Sequence, residues 1–533
     1  MREILLVQLG RLGDLVQTLP VITRFKQIDP ACCVTLVCLE DFQGIIKEGA
    51  GWDRLVSVPR RDMDCLTDPD VLAAFPHRAP FDRYPEFGRA YDLIVNLTSD
   101  LDSAALSEKI AADRKLGRTH ANQGEMRLRG PWAKYLHSMV RHRTENIFNL
   151  VDIYMGMAGL EAKPQPPSLG VSGERAAQAH DLLLAAGWKG GRPLLAFQTG
   201  ASDLNRAWDL ENFAALGSRL LADGAEIVLV GDSKEMDRAA DFRSKVSGPV
   251  IDLVGKTGLA QLPALIKACD LLISNDTGTI HVAAAVGTPT LGLFFSTAFY
   301  SETAPYGAGH SVLQVEIVCS PCSTSTRCPV QICRQHLTVP EVHASIQWIL
   351  RPGSRPPPSW PTLSLYRSRF LDNGTLLYAP ARPEAPPGQY LTGLLGRLVW
   401  EDALGIARDP SLEHGWRMAT AGEEWRKKRD ALRQTLDSLV DPLNRGLALA
   451  GQLRQAFAEG NRDLVRPLHE QMARLAERLS EAGEKSGLFG DFLRFEMMDM
   501  DYSPYPELAV QLEDKYRALC DWIARVGKSL DRL

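Results

Sequence analysis

The sequence predicts an α/β chain: two Rossmann-like domains facing across a cleft, followed by an all-helical domain. Three observations carry that reading. Two separate series of short Val/Ile/Leu runs alternate with helical patterns, a Pro-rich stretch follows the second series, and the remainder shows helical periodicity alone. At 533 residues the chain exceeds what one hydrophobic core can organise, so several domains are required.

The first series comprises ILLVQL at 4–9, CVTLVCL at 33–39, LVSV at 55–58 and YDLIVNL at 91–97. Runs that are apolar throughout, rather than alternating, suit parallel strands covered on both faces. They define a domain over residues 1–174. A second series follows EAKPQPPSLG, with PLLAFQ at 193–198, EIVLVG at 226–231, VIDLVG at 250–255, LLISND at 271–276 and TLGLFF at 290–295. Between these lie amphipathic segments such as LENFAALGSRLLADG, which stops at Gly224, a residue suited to a helix C-terminus. This second domain covers 175–350.

Residues 351–390 are Pro-rich and read as a linker enclosing a hairpin that turns at Asp372, Asn373, Gly374 and Thr375. From 391 to 533, apolar residues recur at i, i+3, i+4 and i+7, as in LVRPLHEQMARLAERLSEAG, and a domain of three to five helices is expected. Its charges of both signs are interleaved, the usual pattern of a solvated helix face. Protein-partner binding, oligomerisation and acceptor presentation all remain open for it.

Composition removes some function classes. A formal charge of -5 supplies no basic field for a nucleic-acid backbone, so nucleic acid is not expected as a partner. No apolar run reaches the roughly 18 residues of a membrane span, and no cleavage site follows the N-terminal strand. The expected location is the cytoplasm, with a peripheral position at the inner membrane as a variant of it.

Two segments carry candidate chemistry. In LGRLGDLVQTLP, Gly10 and Gly13 permit a tight turn after the first strand, Arg11 lies between them, and Asp14 stands at the mouth of the next helix. The carboxyl edge of such a sheet is where ligands bind. Spacing alone leaves Asp14 open between a functional carboxylate and a helix cap. The pattern is not GxGxxG, which argues against a dinucleotide-dependent dehydrogenase. In SNDTGTIHVAAAVGTPTLGLF, a strand ends before Asp276, Thr277 and Gly278, and a helix begins. Its first N–H groups form an anion site fit for a diphosphate. His281, one turn in, could also reach a phosphate or sugar hydroxyl; the alternative is a capped helix carrying a surface histidine.

With these motifs, the chain resembles the family 9 glycosyltransferases, which include bacterial ADP-heptose:lipopolysaccharide heptosyltransferases. The resemblance spans residues 1–350. It also rests on YDLIVNL with RKLGR, QTGASDLNRAWDLENFAAL and VGDSKEMDRA, in that order. It implies the GT-B fold and an inverting, metal-independent transfer, with no cofactor required. The sugar would pass from a nucleotide-diphosphate donor, ADP-heptose, to a lipopolysaccharide-core or related glycan acceptor at the inner membrane face.

Carried over by position, Asp14 is implied to be the general base and Ser202 a phosphate contact. Glu235 is implied to bind the ribose hydroxyls, although a first-turn helix carboxylate explains it equally. Thr257 falls where the family contacts the base. The family places Lys two residues before the Trp of the NRAW segment, where this chain has Arg206 before Trp208. Arg grips phosphate as a fork and Lys as a point charge, so the geometry is expected to differ.

Three further expectations remain. Cys319, Cys322, Cys328 and Cys333, spaced C-x2-C-x5-C-x4-C, could hold a structural metal or stay as thiols. Arg127, Arg129, Lys134, His142 and Arg143 could meet an anionic acceptor or could be solvated surface charges. A GT-B-like nucleotide-sugar epimerase and a scaffold built on a degenerate transferase are the alternative functions.

Overall fold

A computed structural model describes residues 2–47, 51–62, 83–120, 126–190, 193–323, 328, 330–384, 386–407, 409–412, 423–484 and 505–531. The chain forms two compact units: Met1–Gly124 with Ile147–Tyr390, and Glu125–Asn146 with Leu391–Leu533.

The first unit contains two sheets with flanking helices. In the first sheet, β1 (Glu3–Gln8), β2 (Cys33–Leu39), β3 (Arg54–Val58), β4 (Tyr91–Asn96) and β5 (Ala112–His120) lie in the order β3-β2-β1-β4-β5. All of these pairings are parallel. Ile4, Leu5, Leu6 and Val7 are fully buried, as an unbroken apolar run in a central strand requires. The next strand, β6 (Met126–Arg129), falls in the second unit.

The second sheet is built from β7 (Leu194–Gln198), β8 (Glu226–Leu229), β9 (Ile251–Asp252), β10 (Leu271–Asn275), β11 (Thr290–Phe294), β12 (Ser311–Val315), β13 (Leu363–Phe370) and β14 (Leu376–Pro380). Its order is β14-β13-β12-β11-β10-β7-β8-β9. The strands pair in parallel except for the hairpin β13–β14, which joins β12 antiparallel. The hairpin is tied down by Asp152, 1% exposed, which accepts hydrogen bonds from the Tyr306 hydroxyl at 2.7 Å and the Leu376 amide at 3.0 Å.

One face of the second sheet is sealed by aromatics. Phe197 of β7 meets Phe213 at 5.9 Å between ring centroids, and Phe213 meets fully buried Trp208 edge-on at 5.0 Å. Such pairs add about 0.5–1.5 kcal/mol beyond burial and hold the Trp208 loop against the sheet.

In the second unit the long helices Glu423–Ala458, Arg462–Glu484 and Tyr505–Asp531 carry one buried stripe each, through residues such as Leu439, Leu475 and Tyr516. Tyr135 packs edge-on against Trp400 with centroids 5.0 Å apart, so Glu125–Asn146 shares this unit's core. Among the described residues, no helix is long and apolar enough to cross a membrane.

Candidate functional site

Each sheet has a point where successive connections leave in opposite directions, and there the strand ends open a crevice. In the first sheet this point lies between β1 and β4, and in the second between β10 and β7. Gly10, Arg11, Gly13 and Asp14 follow β1 at the first point, and Ser202, Arg206, Asp276, Thr277, Gly278 and His281 follow β7 and β10 at the second.

At the end of β1, the Gln8 Oε1 accepts the Gly10 amide at 3.0 Å and fixes the turn. The helix Leu12–Ile28 follows. A Cβ on Gly10 would lie 2.7 Å from Asp14 Oδ2 and 2.8 Å from Gln8 Oε1, so any side chain there would displace both groups. Asp14 is half-buried and accepts the Arg11 amide at 2.9 Å, which settles its capping contact. The bond does not exhaust a carboxylate that has several lone pairs. Burial pushes the Asp14 carboxyl above its ordinary value; the Arg11 amide and charge oppose this, Asp276 adds to it and Arg206 opposes it.

The second helix N-terminus faces the first. Helix Gly278–Val286 starts after Thr277, and a Cβ on Gly278 would sit 2.9 Å from Leu12 Cδ2. A Cβ on Gly13 would be 2.7 Å from His281 Cδ2. Glycine at both positions is what allows the helix starts to approach. His281 is 4% exposed, not a surface residue, and burial lowers it to about 4, so it is neutral at pH 7. Its Nδ1 is buried without a hydrogen-bond partner.

Arg206 and Asp276 form an ion pair at 2.9 Å, with side chains 15% and 8% exposed. The loop bearing Arg206 is held by Asn275 at the end of β10. Asn275 is fully buried; its Oδ1 accepts the Trp208 amide and its Nδ2 donates to the Thr199 and Gly200 carbonyls, all at 3.0 Å. Asp276 and the Arg206 loop are therefore placed by one amide side chain.

Glu235 lies against the backbones of Gly200 and Gly231, where added Cβ atoms would collide with its carboxylate. It accepts the Asp232 amide at 3.0 Å, and Gln198 Nε2 donates to its two oxygens at 2.9 and 3.0 Å. Ser202 is exposed in the loop after β7, and Thr257 is half-buried in the turn after β9.

Sequence reasoning passed over Gln198, Asn275 and Tyr154. The signal for the first two is a polar residue closing an otherwise apolar strand. Tyr154 is buried beside Gln8 and Asp14, whose negative charge helps raise its hydroxyl well above the ordinary value after burial itself.

Two groups are arranged differently from one of their expected forms. Among the described residues, no group of three or more His, Cys, Asp or Glu could hold a metal ion. Cys319, Cys322, Cys328 and Cys333 are thiols; burial raises Cys333, with smaller contributions from Cys319 and Cys328. Arg127, Arg129, Lys134, His142 and Arg143 all lie in the second unit. Of these, Lys134 and Arg143 are 4% and 9% exposed, so they are not solvated surface charges.

Residues 87–331 match the family model described as glycosyltransferase family 9 (heptosyltransferase). Lipopolysaccharide heptosyltransferase 3 of Escherichia coli is 26% identical over 290 residues, 54% of this chain and 81% of that protein. Lipopolysaccharide heptosyltransferase 1 of Pseudomonas aeruginosa is 27% identical over 333 residues, 61% and 87% of the two chains. The solved structure of E. coli ADP-heptose lps heptosyltransferase II covers 63% of this chain and 97% of its own, with 18% identity and a TM-score of 0.45. Residues 87–331 therefore carry the match to glycosyltransferase family 9, and the chain has a C-terminal region beyond that domain.

Proposed function

We propose that the protein transfers a heptosyl group from ADP-heptose to a lipopolysaccharide-core or related glycan at the inner membrane face, with inversion and without a metal ion. The observation that carries this reading is the approach of Asp14 to the Arg206–Asp276 pair and the Gly278 helix start. A base and an anion site stand on opposite sides of one crevice.

In this reading the donor lies at the ends of β7 and β10. The diphosphate meets the N–H groups of the Gly278 helix, Arg206 and Ser202. Glu235 accepts ribose hydroxyls and Thr257 lies by the base. His281, neutral and short of a partner, offers a hydrogen bond to a sugar hydroxyl or phosphate oxygen. Asp14 takes the proton of the acceptor hydroxyl as its oxygen attacks the anomeric carbon from the face opposite the diphosphate. The carbon–oxygen bond to the diphosphate breaks, and ADP leaves with that electron pair. The charge developing on ADP is met by the helix dipole and Arg206 rather than by a new covalent bond.

A carboxylate held above its usual value by burial is a better base near neutral pH, and general-base catalysis is worth about 10²–10⁴-fold in rate. The test is incubation with ADP-heptose, with and without a heptose-deficient lipopolysaccharide core, following ADP. Acceptor-dependent release is expected. Conversion of the sugar without acceptor would replace this reading with an epimerase, and no turnover of any nucleotide sugar would replace it with a scaffold.

A further inference from the structure

A second cavity, of about 430 Å³, lies at the end of β12, on the β12–β14 side of the second sheet and away from the β7–β10 crevice. Its walls come from Ile317 and Val318, from the Pro-rich segment around Trp360, and from residues 380–382 and 387–389. The volume suits a small organic molecule.

The charged groups of this lining are Glu316 and Arg382, and its neutral donors include the Trp360 indole N–H and the Ser359 hydroxyl. Its prolines have no N–H to donate. Arg382 lines it, but its guanidinium is engaged with the Pro357 carbonyl at 2.6 Å, the Pro356 carbonyl at 2.9 Å and Glu384 at 3.2 Å. Gln389 gives its Nε2 to the Ser320 carbonyl at 2.7 Å, which fixes the amide orientation and leaves Oε1 buried without a partner. The Tyr366 hydroxyl donates to Glu316, and Ser364 hydrogen-bonds to the same carboxylate. The charge left for a ligand is the half-buried carboxylate of Glu316, with the indole of Trp360 and a proline surface around it.

That surface selects by charge. An anion would meet the Glu316 carboxylate, and the cation of this lining, Arg382, is already engaged. A neutral sugar would leave the Glu316 carboxylate without a counter-charge. A hard metal ion needs about six oxygen ligands, and this lining offers one carboxylate. An ammonium group has three donors and no acceptor, and its carbon chain can lie on Trp360 and the prolines.

We infer that this cavity binds an organic primary ammonium, paired with the Glu316 carboxylate and with its carbon skeleton against Trp360 and the proline wall.

Electrostatics agree with that geometry. Burial raises Glu316 to about 7, against the hydrogen bonds from Tyr366 and Ser364, which lower it. The groups facing it are those two, Tyr300 stacked on Tyr366 at 3.8 Å, and the engaged Arg382. No cation among these is unengaged, so a bound ammonium would supply the missing positive charge and favour loss of the Glu316 proton.

The test uses the full chain with n-butylammonium, and with n-butanol and butyrate as neutral and anionic counterparts of similar shape, titrated by calorimetry at pH 8. Butylammonium is expected to bind with a millimolar-range dissociation constant, and the two counterparts at least about tenfold more weakly. Affinity should fall by about tenfold in Glu316→Gln, fall also in Trp360→Leu, and weaken as pH is lowered through the Glu316 value of about 7. The melting temperature of each variant without ligand identifies loss by misfolding. Equal binding of butanol, undiminished binding by a folded Glu316→Gln, or no binding of butylammonium to the native chain would overturn the assignment. Glycosyltransfer is not needed for this readout, so its outcome is independent of the proposed reaction.

Discussion

Arg206 Nη1 lies 2.9 Å from Asp276 Oδ2, and both side chains are largely withdrawn from water. The pair spans the mouth between the β7 loop and the Gly278 helix. An anion arriving there competes with Asp276 for the guanidinium, whose Nε has no hydrogen-bond partner. Removing the cation leaves Asp276 as an uncompensated charge beside the anion site.

Arg206→Ala is therefore expected to raise the donor KM and lower kcat, together costing about 2–4 kcal/mol in kcat/KM. Arg206→Lys should recover part of that loss, since a point charge replaces a fork. Steady-state kinetics on both variants decide this. An alanine variant with native kcat/KM would remove Arg206 from the site.

Gln198 acts through another residue: it holds both oxygens of Glu235 and touches nothing in the proposed chemistry directly. Gln198→Leu should loosen Glu235 and raise the donor KM by about tenfold, equivalent to about 1.4 kcal/mol, with kcat nearly unchanged. A fall in kcat at unchanged KM would contradict this positioning role.

Gly13 tests the close approach of the two helix starts. The added methyl of Gly13→Ala would come within 2.7 Å of a buried, rigid imidazole, and His281 has little room to yield. Overpacking of this kind costs about 1–3 kcal/mol. A lower midpoint in chemical denaturation is expected, and an unchanged midpoint would mean that the helices separate freely.

His281 and His310 give a pH dependence with a definite sign. Burial lowers both to about 4. The unfolded chain therefore takes up protons near the ordinary value of 6.5 that the folded chain refuses until about 4. Stability from these two groups is complete above about pH 6.5 and lost as pH falls toward 4, each contributing up to about tenfold in the folding equilibrium per pH unit. Denaturation midpoints of the native chain and of His310→Gln between pH 7 and about 4.5 should differ in slope, with the variant flatter. Parallel slopes would place His310 in water.

The strands were legible because parallel strands buried on both faces need continuous apolar runs, and ILLVQL, CVTLVCL and LLISND have them. β5 escaped notice because its sequence ADRKLGRTH is polar, with half-buried and exposed positions among the buried ones. The Pro-rich stretch announced a hairpin, but its pairing with β12 joins residues some fifty positions apart, as in Ser311 with Arg367. Asp14, Asp276 and His281 stood out because turns and helix starts have local signatures. Gly13 against His281 did not, since that approach depends on how two sheets meet. Glu125–Asn146 shares a unit with the C-terminal helices through contacts such as Tyr135 with Trp400, which no local pattern announces.

The central claim is that Asp14 removes the acceptor proton. Burial and Asp276 hold its carboxyl above the usual range, so the acid limb of the rate profile should report that raised value, with activity falling as pH drops through it. The direct measurement is acceptor-dependent ADP release by Asp14→Asn, alongside its dissociation constant for ADP. The account predicts a loss of about 10²–10⁴-fold in turnover with ADP affinity nearly unchanged. Retained turnover in a folded Asp14→Asn would contradict it and leave Asp14 as a helix cap alone.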